Sequence, residues 1–130
     1  MFSEQELAFL QTQRVARIAT VAPNGQPTVD AVGFSFDGTH FYVGGHNIAA
    51  TRKYKNVVAG NKKVSLVIDE LKSVQPWQAL AIRVHGEAEA VESQAHFGPG
   101  IYLVITPKVS WSWGIEEQKG KAGSKKTVWE

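Results

Sequence analysis

The sequence predicts a mainly-β fold, a small antiparallel β-barrel with a few helices. An open antiparallel sheet with helices on one face is the second possibility. Two observations favour the barrel. Five or more segments alternate polar and apolar residues as strands do, with hairpin turns between most of them. A single crossover helix interrupts the series. The 130 residues, 43% of them hydrophobic, suit one domain with a core, which we assign to residues 1–115.

The first element is a short helix. Ser3 and Glu6 have the spacing of a capping box, and Phe2, Leu7 and Leu10 form the apolar stripe of this helix. Three strand patterns follow, separated by two typical hairpin turns: residues 15–21, Pro23-Asn24-Gly25-Gln26, residues 28–36, Asp37-Gly38 and residues 40–44.

Two glycines, Gly44 and Gly45, lead from the third strand into the predicted crossover helix. We expect Asn47 to be the N-cap of this helix, because its side-chain oxygen can accept hydrogen bonds from the free amides of the first turn. Gly60 is the residue at which we expect the helix to stop.

Three residues near the start of this helix, Thr51, Arg52 and Lys53, are candidate phosphate ligands. A helix N-terminus concentrates unpaired N–H groups, and helical side chains lean back toward that end. His46 is a weaker candidate for the same role. The local pattern alone favours a simpler interpretation, in which a capped helix exposes its basic side chains to water.

The second half of the chain contributes three further strand patterns, at residues 63–69, 80–92 and 101–106. Between them we expect a loop at residues 71–78 and a turn or loop at residues 93–100. Gly86 lies inside the longest strand pattern and predicts a bend or bulge there.

Two tryptophans, Trp111 and Trp113, alternate with serines near the end of the predicted domain. In a strand this alternation places both indoles on one face. The segment that follows, residues 116–130, is rich in Lys, Gly and Glu, and we expect most of it to be mobile because it offers little apolar surface to bury.

Composition excludes several function classes. The chain has no Cys, which excludes disulfides and thiol chemistry, and its 4 His residues fall at no metal-ligand spacing, so we expect no metal. A net charge of +2 without a basic stripe argues against a nucleic-acid partner. The N-terminus lacks a signal-peptide pattern, and no apolar run approaches the roughly 20 residues of a membrane span. We therefore expect a cytoplasmic protein.

Several motifs occur in a recognisable order along the chain: Arg14-Val15-Ala16-Arg17-Ile18-Ala19-Thr20-Val21, Asn24-Gly25-Gln26-Pro27, Val32-Gly33-Phe34, Thr51-Arg52-Lys53, Lys62-Lys63-Val64-Ser65-Leu66-Val67, Ile105-Thr106-Pro107 and Ser110-Trp111-Ser112-Trp113-Gly114. Together they resemble the pyridoxamine 5′-phosphate oxidase-like split-barrel proteins. The closing tryptophan motif resembles the branch of probable deazaflavin (coenzyme F-420)-dependent oxidoreductases.

This resemblance implies an FMN-binding type of split β-barrel that forms a homodimer, with a flavin or deazaflavin at the subunit interface and a small-molecule substrate. The cofactor phosphate would lie near Thr51, Arg52 and Lys53, with Asn47 as a weaker contact. The remaining cofactor contacts that the resemblance implies are four residues of the second strand against the ring and two tryptophans from the partner subunit: Asp30, Ala31, Val32, Gly33, Trp111 and Trp113.

Departures from the oxidase itself narrow the expected function. The chain lacks the C-terminal extension of that enzyme and has Asp30 and Ser35 where the oxidase has basic residues, so vitamin B6 oxidation is not expected. We expect hydride transfer from reduced coenzyme F-420 to an unsaturated organic acceptor, with no catalytic residue assigned. The alternatives are an FMN-dependent reductase or oxidase, a non-catalytic flavin-binding dimer and, least favoured, a barrel that binds single-stranded nucleic acid.

Overall fold

The computed structural model describes residues 1–45, 47–95, 97–116 and 124–130. Its elements, in chain order, are helix α1 (Glu4–Thr12), strands β1 (Val15–Val21), β2 (Pro27–Phe36) and β3 (Phe41–Val43), a short 3-10 helix (Ile48–Ala50), helix α2 (Arg52–Val58), and strands β4 (Lys63–Val74), β5 (Trp77–Ala95), β6 (Gly98–Trp113) and β7 (Lys125–Val128).

Six of the strands close into an antiparallel barrel. The hydrogen-bonded order is β3-β2-β1-β4-β5-β6, and β3 also pairs with β6, so the first and last strands of the series meet. This closure confirms the predicted barrel rather than the open sheet. The interior is filled by alternate residues of each strand, among them Ile18, Phe41, Leu66 and Ile82, each with at most 1% of its surface exposed.

The N-terminal helix is built as the capping box predicts. The Ser3 hydroxyl accepts a hydrogen bond from the Glu6 amide, and the Glu6 carboxylate accepts one from the Ser3 amide. Phe2 and Leu10 are buried, whereas Leu7 is only half-buried. Phe9, which the helical stripe leaves at its edge, is buried as well and belongs to the same core cluster.

The predicted loop at residues 71–78 is wrong, and the turn predicted within residues 93–100 is confined to the connection between Ala95 and Gly98. β4 and β5 continue as an antiparallel hairpin up to a turn at Gln75 and Pro76, and β5 and β6 pair as far as Ala95 and Gly98. The outer parts of these hairpins have exposed residues on both faces, which removes the alternation that identifies a half-buried strand. The bulge predicted at Gly86 is confirmed by a register shift between His85 and Gly86.

The crossover segment differs from the expected single helix. Asn47 is in the left-handed conformation, at φ 60°, and its side chain caps nothing. The 3-10 helix ends at Thr51, which returns to an extended conformation, and the Thr51 hydroxyl accepts from the Tyr54 amide at 3.4 Å. Thr51, rather than Asn47, is therefore the N-cap of α2. The predicted end is confirmed, since α2 stops at Val58, just before Gly60 at φ 112°.

Most of the C-terminal segment is predicted to be mobile, but the described residues 124–130 contain a strand. Residues 117–123 lie outside the described residues, but β7 pairs with β6, and Trp129 follows it into the end of the barrel. The Trp129 ring packs edge-on against Phe2, with ring centroids 4.8 Å apart, and its indole N–H donates to the buried Ser110 hydroxyl. Trp129 therefore anchors the end of the chain to the core, although the segment as a whole is polar. The domain includes β7.

Replacing Gly114 with Ala is expected to destabilise the fold by about 2 kcal/mol. Gly114 has φ +76°, and a Cβ there would lie 2.2 Å from the Ala79 carbonyl oxygen. Gly25→Ala is the matched control, because Gly25 has φ +86° but open space around its Cβ position. Denaturant unfolding should show a loss of about 1 kcal/mol for the control, from backbone strain alone. Equal losses in the two variants would contradict the close contact at Gly114.

Candidate functional site

Helix α2 packs against β1 and β5, and a chain of buried hydrogen bonds holds it in position. The Asn56 amide donates to the Thr20 hydroxyl at 3.0 Å, and the Thr20 and Thr28 hydroxyls are 3.0 Å apart. Asn61, just after the helix, donates to the Val21 carbonyl at 2.9 Å. These contacts hold the basic first turn of α2 beside β1 and β2.

The structure brings two of the predicted cofactor ligands together. The Lys53 ammonium lies 3.6 Å from the Asp30 carboxylate, and the Lys53 side chain is only 13% exposed. A residue at the start of α2 therefore contacts the middle of β2, although the two are far apart in sequence. Asp30 orients Lys53 and also neutralises part of its charge, so Lys53 alone is a weak anion ligand.

The Arg52 side chain is exposed, and within the described ranges no hydrogen bond or ion pair engages it. Its guanidinium is therefore available as a two-pronged donor for phosphate or carboxylate. The Thr51 hydroxyl, in contrast, donates its single proton to the Ile48 carbonyl at 2.6 Å. In this conformation the Thr51 hydroxyl proton is used in a hydrogen bond to the backbone, so it cannot be donated to a phosphate.

The four β2 residues predicted to contact a cofactor ring do not share a face. Asp30 and Val32 face the inside of the barrel, because they pair with inward-facing residues of β1. Ala31 and Gly33 point to the outside of the barrel. The side chains of one set cannot contact the same ring as those of the other, because successive residues of a strand alternate. Ala31, exposed and without a bulky side chain, leaves this part of β2 open to a flat group, whereas Gly33 is covered by the ring of Phe97.

The two tryptophans predicted to share one strand face do so. Ser110 and Ser112 are buried inside the barrel, so Trp111 and Trp113 lie on the outer surface of β6. The Arg83 guanidinium of β5 lies 4.5 Å from the Trp111 ring centroid and 5.9 Å from that of Trp113. The His85 ring meets Trp111 edge-on at 4.7 Å. The result is a cationic and aromatic surface, defined by these four side chains, which we call the Trp–Arg surface.

Within one chain the Trp–Arg surface does not meet the open part of β2. Strand register places Ala31, Arg17, Val67, Arg83 and Trp111 in one row across the outside of the barrel. The row crosses four strand spacings, which amounts to about 19 Å along the sheet. The two sets of predicted cofactor contacts therefore do not adjoin one another within a single chain.

The Tyr42 hydroxyl and the Asp37 carboxylate bind each other in the β2–β3 turn. The Tyr42 hydroxyl donates to the Asp37 carboxylate at 2.8 Å, and this bond raises the pKa of Tyr42. Burial opposes the charge on Asp37, but the amides of His40 and Thr39 and the Tyr42 hydroxyl outweigh it and hold the pKa of Asp37 well below its usual range. This cluster stabilises the β2–β3 turn. His46, the weaker phosphate candidate, lies outside the described residues.

Sequence reasoning missed Phe97 and Arg83. Phe97, at the tip of the β5–β6 hairpin, covers Gly33 so closely that a Cβ on Gly33 would lie 2.6 Å from its ring. Its ring also stacks on Tyr102 at 6.4 Å. Strand alternation, together with the register of β5 and β6, would have placed Arg83 beside the tryptophans. The position of Phe97 depends on how the β5–β6 hairpin bends, which no neighbouring residue in the sequence indicates.

No helix within the described ranges is both long and apolar enough to cross a membrane.

A family model described as pyridoxamine 5′-phosphate oxidase matches residues 2–128, nearly the whole chain. The chain belongs to the pyridoxamine 5′-phosphate oxidase family. A curated relative from Streptomyces rimosus subsp. rimosus, 5a,11a-dehydrotetracycline/5a,11a-dehydrooxytetracycline reductase, is 32% identical over 123 residues. The match covers 88% of this chain and 84% of the reductase.

Solved structures confirm the split-barrel fold of the family. A protein described as F420 reductase superposes with a TM-score of 0.66 at 21% identity, covering 85% of this chain and 98% of that protein. A heme-binding protein from Mycobacterium smegmatis superposes with a TM-score of 0.72 at 15% identity, covering 98% of this chain and 59% of that one. At these identities the likeness shows the fold and does not select among ligands.

Proposed function

We propose that this member of the pyridoxamine 5′-phosphate oxidase family is an oxidoreductase that uses reduced coenzyme F-420 to reduce an unsaturated small organic acceptor. The observation that carries the proposal is the contact of Lys53 with Asp30, beside Arg52, whose side chain has no partner among the described residues. It joins the two segments to which the family resemblance assigns the phosphate and the ring of the cofactor. The 32% identical relative named as a reductase supports the direction of the chemistry.

The residues present fit a phosphate-bearing cofactor in part. Arg52 offers an exposed guanidinium with no partner in the described part of the chain, and Lys53 adds a second positive charge beside it. Asp30 reduces the attraction, and the Thr51 hydroxyl is committed to its own helix. Arg52 is therefore the principal anion ligand in this proposal, with Lys53 as its support.

The chain's contribution to the reaction is to bind, orient and exclude water. When bound in its reduced form, a deazaflavin supplies the hydride. Ala31 leaves space on the outer face of β2 for a flat ring, while Arg52 and Lys53 would anchor the phosphate at the other end of the same molecule. We assign no proton donor, because Tyr42 and Asp37 are held in the β2–β3 turn.

The proposed active unit is a homodimer with the cofactor between the subunits. The separation of about 19 Å between the open part of β2 and the Trp–Arg surface supports this arrangement, since a second chain would bring one set over the other. Exposed apolar residues on the outer face, such as Val15 and Val29 at 50% and 65% exposure, are consistent with such an interface.

A titration of the purified protein with oxidised coenzyme F-420 and with FMN, followed by fluorescence, tests the proposal. We expect coenzyme F-420 to bind at least about tenfold more tightly than FMN, because its carboxylate tail adds charged groups to the phosphate. The reverse preference would indicate a flavin enzyme on the same fold. Binding of neither cofactor would contradict the proposed function. Light scattering on the same samples measures whether the protein is dimeric.

A further inference from the structure

A pocket of about 700 Å³ lies where the barrel splits, between α1 and β2. At this point β2 leaves β1 and begins to pair with β3, and the last link to the β1 side is the Phe34 amide, which donates to the Arg14 carbonyl at 3.4 Å. The helix does not fill the resulting gap completely. This volume falls within the range of sites that hold small organic ligands.

The α1–β2 pocket is mainly apolar and partly aromatic. Leu7 and Leu10 of α1 form one wall, Phe34 and Phe36 of β2 form another, and Phe97 closes the pocket from the hairpin tip. Gly33, next to Ala31 on the outer face of β2, lines the same space. The pocket therefore touches the strand against which the cofactor ring is proposed to lie, at a position where a second flat molecule could stack.

The polar rim of the pocket has one available positive charge. Arg14 lines the pocket, is exposed, and has no side-chain hydrogen bond or ion pair within the described ranges. The other charged lining residue, Asp37, has its carboxylate oxygens engaged by Thr39, His40 and Tyr42. An entering molecule would thus meet a free guanidinium and a carboxylate that is already satisfied.

We propose that the α1–β2 pocket binds the hydride acceptor, and that the acceptor is a flat, apolar, unsaturated molecule with an anionic or enolic oxygen directed at Arg14. The assignment to the acceptor rests on the proposed function. The pocket as a ligand site rests only on its volume, its aromatic walls and the unpaired Arg14.

Two probes test this site without any cofactor: anilinonaphthalene sulfonate, which is flat and anionic, and phenylnaphthylamine, its neutral counterpart. We expect both to bind saturably at about one per chain. Leu7→Trp should weaken both at least about tenfold, because Leu7 is a half-buried wall residue and the larger ring occupies the pocket. If this variant fails to fold, Ser35→Trp fills the same space from β2.

Charge selectivity is tested with Arg14→Gln and the matched control Arg17→Gln. Arg17 lies three residues further along, is exposed, and pairs with Asp69 outside the pocket. Arg14→Gln should weaken the sulfonate about three- to tenfold and leave the neutral probe within about twofold, whereas the control should change neither. Unchanged probe affinity in the tryptophan variants, or equal effects of the two arginine variants, would overturn the site.

The outcomes separate this proposal from the proposed function. Coenzyme F-420 should bind Leu7→Trp as it binds the unaltered protein, because the phosphate ligands lie at α2. If coenzyme F-420 binds but the probes do not, the pocket proposal fails alone. If the probes bind as expected but coenzyme F-420 does not, the acceptor assignment fails together with the proposed function, and the pocket stands as a ligand site.

Discussion

Replacing Arg52 with Ala is expected to weaken binding of coenzyme F-420 by about 10- to 100-fold. A charge-assisted hydrogen bond from a guanidinium to a phosphate contributes about 1.5–3 kcal/mol, and Arg52 can form two in parallel. The free energy of unfolding should change by less than about 0.5 kcal/mol, because the side chain is exposed and has no partner among the described residues. Fluorescence titration at low and moderate ionic strength measures the first quantity, and urea unfolding the second.

Two variants make the Arg52 test specific. Arg52→Lys keeps the positive charge but loses the two parallel N–H donors of the guanidinium. Its affinity for coenzyme F-420 should therefore lie between that of the alanine variant and that of the unaltered protein. Lys72→Ala removes the same charge from the exposed β4–β5 hairpin and should leave affinity within about twofold. If Arg52→Ala binds the cofactor as tightly as Lys72→Ala does at both ionic strengths, the phosphate assignment is wrong.

Replacing Lys125 with Met is expected to lower the free energy of unfolding by about 2–3 kcal/mol. The Lys125 ammonium lies 3.4 Å from a Glu6 carboxylate oxygen and 3.1 Å from one of Glu116. The Glu6 side chain is 1% exposed, so removal of Lys125 leaves a buried charge without its counter-ion. Because Lys125 itself is a third exposed, we expect less than the about 3–5 kcal/mol lost when a fully buried pair is broken.

Lys126→Met is the matched control for this experiment. Lys126 is the next residue of β7, and its exposed side chain points to the outer face of the barrel. Its replacement should change the free energy of unfolding by less than about 0.5 kcal/mol. Urea unfolding of the two variants separates the buried pair from any general effect of charge or hydrophobicity on β7. Equal losses would mean that the Lys125–Glu6 contact does not stabilise the protein.

The stability difference between the unaltered protein and Lys125→Met should depend on pH in a defined direction. Burial lowers the pKa of Lys125, but the contacts with Glu116 and Glu6 outweigh it and raise the pKa above its usual value. Its contribution is therefore complete below about pH 10 and is lost as the pH rises through the folded-state pKa.

The acid side of the same profile follows from Glu116. Hydrogen bonds from Ser3 and then Lys125 lower its pKa. This contribution is complete above the ordinary glutamate pKa of about 4.3 and is lost as the pH falls through the folded value. Unfolding measured across pH should thus show the largest difference between the two proteins on a neutral plateau, with a decline at each end. A difference that is constant across pH would contradict the ionic origin.

The accuracy of the sequence interpretation varied with the range of the interactions involved. Ser3 and Glu6 are three residues apart, and their reciprocal capping bonds were predicted correctly because the motif contains both partners. Asn47 was assigned wrongly for a related reason. The sequence offers two residues that can cap a helix, Asn47 and Thr51, and the choice between them depends on how the chain packs against the barrel.

The candidate site shows the same division. The basic residues Arg52 and Lys53 were identifiable from their place after the third strand, but the contact of Lys53 with Asp30 needs β2 and α2 to be packed together. The alternation that places Trp111 and Trp113 on one face was predictable, whereas Arg83 joins them only through the register of β5 with β6. Phe97 could not be placed at all before the hairpin was closed.

The sequence by itself determined the strand periodicity, the hairpin turns, the capped first helix, the bulge at Gly86 and the membership of a family, because each depends on neighbouring residues or on motif order. The tertiary structure alone decided which helix cap is used, how far the hairpins extend, where Trp129 packs and how Lys125 meets Glu6, a residue 119 positions earlier. Those features depend on contacts between distant segments, whose energies exist only once the barrel has closed and brought them within a few ångströms.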